Sequence, residues 1–405
     1  MHTHKVMDIF ARCAEYRAAE EARRGGYYPY FHVLESAPGP EVVIGGKVML
    51  MLASNDYLGL AHDPRVQAAA AHALHHYGTG CCSSRFLAGT LRIHEKLETR
   101  LAAFVHKEAA LVFSTGMQAN LGLISALAHR QDWIFADKLV HASILDGCCL
   151  SHARMARFPH NDAASLATLL ENMGGDGGAL VVIEGVYSMD GDIAPLPALL
   201  AAAHAHGARV IVDDAHGIGV LGANGAGTAE ELGCLDEVDV VMGTFSKSLA
   251  ASGGFIAGAS KVIDYVRHHA RALIFSAALP APMAAAVITA LEIVQQEPAR
   301  RARLRQVSDL LRTGLQDLGF DVGASVTPII PVLVGNMERA AALWRTLYLW
   351  RTLYARGVFT SLVIPPAVPP GSERLRLSIS AIHTDEHIAR ILEHFAKAGR
   401  ATHII

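Results

Sequence analysis

The residues best suited to covalent chemistry lie in the segment Gly243-Thr244-Phe245-Ser246-Lys247-Ser248-Leu249-Ala250-Ala251-Ser252-Gly253-Gly254. Lys247 follows an apolar run and stands among Ser, Ala and Gly, with no carboxylate beside it in sequence. A lysine in a surface loop is the bland alternative, since lysines are rarely buried. In this setting desolvation would lower the pKa and free the amine for a Schiff base. The second group is Val210-Ile211-Val212-Asp213-Asp214-Ala215-His216-Gly217, where two carboxylates end an apolar run. Asp213 precedes Lys247 by 34 residues, about one strand–helix–strand unit, so both can end neighbouring strands at one sheet edge. Alone, Asp213 is equally a helix cap or half of a salt bridge. Beside a lysine Schiff base it has a sharper use, because a carboxylate keeps the ring nitrogen of pyridoxal phosphate (PLP) protonated and the ring able to accept electrons. Third, Leu111-Val112-Phe113 runs into Ser114-Thr115-Gly116-Met117-Gln118-Ala119-Asn120. Such a strand enters a helix through a small-residue turn, and free N–H groups at a helix N-terminus suit a phosphate.

These segments need a scaffold that brings strand ends together. Ala109–Phe113, Ala179–Glu184, Arg209–Asp213 and Val238–Thr244 are short apolar runs suited to strands buried on both faces. Helical patterns over Gln118–His129, Ala164–Met173 and Leu196–His206 fill the gaps, which predicts a mainly parallel sheet with helices on both sides. Ligands of such sheets collect beyond the carboxyl ends of the strands. Upstream, a helix is expected over Met7–Arg24, then the aromatic cluster Tyr27–Phe31, a strand over Met49–Ala53 and a helix over Pro64–Tyr77 stopped by Gly78. Downstream, a helix near Pro280–Pro298 leads to Pro328–Val334, Arg374–Ser380 and a last helix near Thr384–Ala398, a smaller α+β unit. The expected division is 1–60, 61–295 and 296–405. Within the last unit Leu343-Trp344-Arg345-Thr346-Leu347-Tyr348 repeats at once as Leu349–Tyr354. Six residues turn a helix by about 600°, so the copies face directions about 240° apart and only one can keep the buried face.

Composition excludes several classes. With 405 residues, 51% hydrophobic and 18% charged, the chain can bury a large core and is not disordered. A net charge of −3 and the lack of a basic run leave no electrostatic footprint for nucleic acid or an anionic membrane. No apolar stretch of about 18 residues appears, so no integral membrane segment is expected. The opening residues show no signal peptide. Cys81-Cys82, Cys148-Cys149, Cys13 and Cys234 fit neither a zinc site nor a disulfide framework, and read as small buried residues in a reducing, cytoplasmic protein.

Taken together, the segments resemble the α-oxoamine synthases, a PLP-dependent family. The likeness spans nearly the whole chain, from Ser54-Asn55-Asp56-Tyr57-Leu58-Gly59 to His383-Thr384. It includes Gly78-Thr79-Gly80, Ser84-Arg85, Gly89-Thr90, Glu95–Glu98, Val140–Ser143, Asp190-Gly191-Asp192 and Arg374–Ser378. Thr244–Ser248, Tyr27–Phe31 and Pro365–Pro369 are most similar to members that join L-serine to a long-chain acyl thioester. The resemblance implies an α/β, PLP-dependent transferase fold of type I: a large domain with a mainly parallel seven-stranded sheet flanked by helices, and a smaller C-terminal α+β domain. It implies that Lys247 holds PLP and moves the Cα proton, that Asp213 pairs with the ring nitrogen, and that His216 approaches the phenolic oxygen. His141 would stack on the cofactor. Gly116 and Met117 would offer amides, and Thr244 and Ser246 hydroxyls, to the phosphate, with Ser276 reaching that of a neighbouring subunit. Arg376 would grip the amino-acid carboxylate, with Asn55 and Ser84 also on the substrate side. The implied reaction is a decarboxylative Claisen-type condensation with a palmitoyl-CoA-like thioester, giving a 3-keto sphingoid base, in a homodimer with shared sites. Other readings are glycine or alanine with another acyl-CoA or acyl carrier protein thioester, an aminotransferase or lyase of the same fold, or an inactive partner subunit. Met117 departs from the aromatic residue common there, Cys81–Ser84 falls in a variable segment, and the hexamer duplication is foreign to the family.

Overall fold

The four apolar runs become strands because their side chains find packing on both faces. The structure, a computed structural model, describes residues 8–334, 339–365 and 367–405. The first seven residues, including Met7 of the expected first helix, and Pro366 of the Pro365–Pro369 run lie outside the described residues. In chain order the strands are β1 (Glu41–Ile44), β2 (Lys47–Leu52), β3 (Ala109–Phe113), β4 (Trp133–Asp137), β5 (Arg154–Phe158), β6 (Ala179–Glu184), β7 (Arg209–Asp213), β8 (Val240–Thr244), β9 (Gly254–Gly258), β10 (Ile329–Leu333), β11 (Val358–Val363) and β12 (Arg374–Ser378).

The main sheet has seven strands in the order β3-β9-β8-β7-β6-β4-β5. Only β9 runs against its neighbours; the other pairs are parallel. Alternation divides the core. Val182, Ile211 and Met242 face helix Gly116–Leu127 through Ala119, Leu123 and Ile124, whereas Val181, Val210, Val212 and Val241 face Leu199 and Leu200 of helix Leu196–Ala205. Each fully buried Val or Leu contributes roughly 1.5–3 kcal/mol relative to exposure, so the two layers hold the strand ends in place. This is the type I fold that the resemblance implies.

A second sheet, β1-β2-β11-β12-β10, holds the C-terminal strands. Its first two strands form a hairpin through Gly45 and Gly46, both at positive φ, and β2 pairs in parallel with β11. The segment 1–60, expected as a unit of its own, therefore shares a sheet with residues 329–378. The helix expected over Met7–Arg24 is two short ones, Ala11–Glu15 and Ala18–Arg24, broken at an extended Tyr16, and neither buries a residue. Helix Pro64–Tyr77 stands as read, capped by Asp63 and stopped by Gly78 at φ 82. The duplicated hexamer lies in one continuous helix, Arg339–Ala355. Its second copy supplies most of the buried face through Leu349, Trp350 and Leu353, joined by Thr346 of the first, whose Trp344 is 63% exposed. Of the cysteines, Cys148 and Cys234 are buried, but Cys13, Cys82 and Cys149 are exposed, so small-residue packing accounts for only part of the set. Among the described residues no helix is long and apolar enough to cross a membrane.

Candidate active site

Three neighbouring strands stop at one edge, each on a polar side chain: β6 on Glu184, β7 on Asp213 and β8 on Thr244. Parallel register sets Glu184 opposite Asp213 and Asp213 opposite Met242, so these groups converge on a cavity of about 370 Å³. Lys247 enters this cavity from the β8–β9 connection. Its loop closes on itself, with Ala250 N donating to Lys247 O at 2.9 Å and Ala251 N to Phe245 O at 2.9 Å. Ala250 takes a left-handed φ of 52, a strain of roughly 1 kcal/mol that the surrounding packing offsets. Burial lowers the Lys247 ammonium to about 8, although Asp213 and Glu184 hold it up; Arg376 pushes it down. About half of the amine is therefore free at pH 8, and roughly a tenth at pH 7.

Asp213 is buried, and its oxygens are fixed by two donors: Asn120 Nδ2 at 2.7 Å and Ala215 N at 3.0 Å. Asn120 Nδ2 also donates to Ser143 Oγ at 2.9 Å, and Ser143 Oγ lies 2.8 Å from His141 Nδ1. Ser143 N donates to the same ring nitrogen at 3.2 Å, which makes Nδ1 the acceptor and leaves the proton on Nε2 of the neutral ring. A continuous hydrogen-bonded chain thus joins Asp213 to His141. Glu184 accepts from His141 N; burial first, then the charge of Asp213, raise its pKa well above the usual carboxylate value, while Lys247 and the His141 N–H lower it. His216 Nδ1 lies 2.8 Å from the Tyr57 hydroxyl. Burial, then Lys247 and Arg376, hold its pKa well below the usual value.

At the other end of the cavity, helix Gly116–Leu127 begins behind its N-cap Thr115, whose hydroxyl accepts from Gln118 N at 3.1 Å. The amides of Gly116 and Met117 precede the first intrahelical bond and are free to meet a ligand. A Cβ at Gly116 would stand 2.9 Å from Thr244 Oγ1, so only glycine allows this approach. Thr244 Oγ1 and Ser246 Oγ are 3.0 Å apart. The donor set fits PLP: an anchored carboxylate, a desolvated lysine, and a rim of hydroxyls and free amides sized for a phosphate. Asn120 Oδ1, buried without a partner beside Asp213, is a further unmet acceptor there.

Lys247, Asp213, His141, His216, Gly116, Met117, Thr244 and Ser246 all line this one cavity. Arg376 lies just behind it. Its Nε donates to the carbonyl of Ser188, a lining residue, and both terminal nitrogens donate to Asn55 Oδ1 at 3.2 Å. Ser378 Oγ at 2.8 Å and Tyr57 OH at 3.5 Å complete the set. All these acceptors are neutral, so among the described residues no anion meets this buried cation, a place a substrate carboxylate would fill. Ser276 does not line the cavity; its hydroxyl accepts from Gln118 Nε2 at 2.8 Å on the outer side of the same helix start. Ser84 is not brought there either. The buried Arg85–Glu98 pair at 2.9 Å holds its loop against helix Arg92–Phe104, and Ser84 Oγ is buried without a partner. Sequence reasoning passed over Asn120, Ser143, Glu184, Tyr57 and Ser188. Glu184 carried a signal, since it ends an apolar run as Asp213 does.

A larger cavity, about 450 Å³, opens at the opposite strand ends among Leu180, Val210 and Val240. Its carboxylates are already used: Asp132 accepts from Gly178 N, and Asp239 from Val210 N and Arg209. It lacks the lysine and histidines of the first.

Comparison with known proteins agrees with this geometry. The sequence model of the family "Aminotransferase class I and II" matches residues 47–395. A serine palmitoyltransferase of Sphingobacterium spiritivorum is 42% identical over 393 residues, 97% of each chain. An 8-amino-7-oxononanoate synthase of Geobacter sulfurreducens is 42% identical over 388 residues, 95% of this chain and 98% of that one. Among solved structures, the serine palmitoyltransferase of Sphingomonas wittichii superimposes with a TM-score of 0.92 at 38% identity, covering 98% of this chain and all of that one. With its match over most of the length and its strand-edge lysine and carboxylate in one cleft, the chain belongs to the aminotransferase class I and II family, among the α-oxoamine synthases.

Proposed function

We propose that the protein is a PLP-dependent acyltransferase that condenses L-serine with a long-chain acyl thioester, releasing CO2 and the free thiol and giving a 3-keto sphingoid base. The observation that carries this reading is the meeting, at one cleft, of desolvated Lys247, anchored Asp213 and, just behind it, a buried Arg376 that meets no anion among the described residues. The choice among family members is supported by overall shape. A serine palmitoyltransferase with PLP internal aldimine scores 0.93 over 98% of the chain, against 0.74 over 88% for an 8-amino-7-oxononanoate synthase.

Bound PLP supplies a ring that takes up the electron pair left at Cα when a substrate bond breaks. Lys247 would carry it, with Asp213 for its ring nitrogen and His216 for its phenolic oxygen. Gly116, Met117, Thr244 and Ser246 would hold its phosphate, joined by Ser276 across a two-fold interface. Arg376, with Asn55, would bind the amino-acid carboxylate, and His141 would fix its orientation for breaking the Cα–H bond. Lys247, as free amine, removes that proton. The new C–C bond forms at the thioester carbonyl as the C–S bond breaks, the carboxylate leaves as CO2, and Lys247 returns a proton to Cα. Ser84 belongs to the substrate side through the same interface. We assign 61–295 to the cofactor unit and 296–405, completed by β1 and β2, to the smaller one, in a cytoplasmic homodimer.

The test is a titration of PLP-loaded protein with amino acids, followed by visible absorbance, then mixing with palmitoyl-CoA and assay of free thiol. L-serine should shift the spectrum at lower concentration than glycine or alanine and release thiol. A glycine or alanine preference, or no thiol, overturns the serine assignment.

A further inference from the structure

One partly buried charge cluster has no part in the reading above. β4 ends on Asp137, and the chain reaches His141 four residues later. The loop after β6 passes Ser188, Asp190 and Asp192 before the helix at Leu196. His160, which follows β5, stands between these two loops. Its Nδ1 is 3.0 Å from Asp137 Oδ1 and its Nε2 is 2.9 Å from Asp192 Oδ2. Both ring nitrogens face carboxylates, so both donate and the ring is an imidazolium; Asn161 Nδ2 also lies 3.1 Å from Nε2 and gives its proton to Asp192 instead. Burial lowers its pKa, but the bonds to Asp137 and Asp192 outweigh that and push it up to about 10.

The surroundings make this a joint rather than a surface ion pair. Asp137 is buried and also accepts from Leu139 N and Asn161 N, each at 2.8 Å. Asn161, at φ 57, donates its side chain to Asp192 Oδ2 at 2.8 Å. The Tyr187 ring stands edge-on to His160, 4.3 Å between centroids and 89° between planes. On its far side the second loop grips β12: Ser188 O accepts from Arg376 Nε, and Asp190 pairs with Arg374. Gly191 passes under β10 with φ 70, where a Cβ would lie 2.2 Å from Ile329 O.

We infer that His160 is a positioning residue: it ties the loop that carries His141 to the loop that carries Ser188 and thereby Arg376. The two groups that meet an amino-acid substrate, which come from different domains, are thus held at a fixed separation. This rests on the roles of Arg376 and His141 proposed above. The cofactor groups on β7 and β8 lie outside the clamp, so amino-acid binding and cofactor binding should respond differently.

The experiment compares wild type, His160→Gln and Asp192→Asn, each loaded with PLP, for visible absorbance, cofactor content and serine Kd by spectral titration. His160→Gln should raise the serine Kd at least tenfold and Asp192→Asn at least threefold, with cofactor content and resting spectrum unchanged. Placed in an Arg376→Lys background, His160→Gln should add less than twofold, because the clamp acts through that guanidinium. Both variants leave each loop tied by Asn161, and Asp192→Asn decides the matter if His160→Gln does not fold. A responsive wild type with both single variants within twofold of it overturns the inference, as does an effect that multiplies in full with Arg376→Lys. A wild type that takes up PLP and answers to no amino acid overturns the functional reading, and this inference with it.

Discussion

Replacing Asp213 with Asn takes one negative charge from the cavity and almost no volume. The carboxylate accepts from Asn120 Nδ2 and Ala215 N, so an asparagine can keep its oxygen on Ala215 only by turning its amide toward Asn120. Two N–H groups would then clash unless Asn120 flips. The flip turns the unpartnered Asn120 Oδ1 to the new amide and gives up the contact of Asn120 Nδ2 with Ser143, a loss of about 1 kcal/mol. Relief of the repulsion with Glu184, whose pKa Asp213 raises, acts in the other direction. The unfolding temperature should therefore stay within roughly 2–4 °C of wild type. Function should not be spared. A hydrogen bond to a charged group is worth about 1.5–3 kcal/mol, which at about 1.4 kcal/mol per factor of ten is about 10- to 150-fold. The assay is Cα-proton exchange of L-serine in D2O, read by NMR on protein whose cofactor occupancy has been matched by absorbance. Exchange should slow by that factor. A variant that exchanges within threefold of wild type at equal occupancy refutes the role given to Asp213.

Stability offers three further tests. Trp350 is buried and donates to Thr360 O at 3.2 Å, whereas its duplicate Trp344 is mostly exposed; Trp350→Ala should cost about 3–5 kcal/mol in urea unfolding and Trp344→Ala less than about 0.5 kcal/mol, and equal losses would contradict the one-buried-copy account. Arg85→Ala takes from buried Glu98 its 2.9 Å partner but leaves Arg267 at 3.7 Å and Val112 N, and should cost about 1–3 kcal/mol, against a smaller loss for Arg85→Met, which refills the space. For pH, the His160 pKa is raised in the folded state, where Asp137, Asp192 and Tyr187 face it, so its contribution is whole below about 6.5 and lost as pH rises through about 10. The stability difference between wild type and His160→Gln should shrink steadily from pH 6.5 to 10; a difference that grows over that range reverses the sign and sinks the clamp's charge state.

Strands β6, β7 and β8 were legible because a parallel strand buried on both faces writes itself as an unbroken apolar run, as in Ala179–Glu184 and Arg209–Asp213; the interior strand β4, Trp133–Asp137, was passed over. Edge strand β5 was not, since Arg154, Met155 and Arg157 leave it without such a run. β9 was hidden in a glycine-rich stretch, where Gly254 packs against Gly116 so closely that a Cβ would lie 2.7 Å from its Cα. The hairpin at Gly45-Gly46 carried a turn signal that was passed over, and the pairing of β2 with β11 joins residues some 300 apart, beyond any local pattern. In the site, Lys247 and Asp213 were readable because each lies beside its own strand end. The chain Asp213–Asn120–Ser143–His141 was not, because it crosses three segments that meet only when the sheet forms.

The account stands or falls on the amine of Lys247. Purified protein should be mixed with pyridoxal phosphate, reduced with borohydride, digested and mapped by mass spectrometry. A single reduced adduct on Lys247, and loss of the visible band in Lys247→Ala, is the result expected here. Label on another lysine, or an unchanged band in that variant, would contradict it.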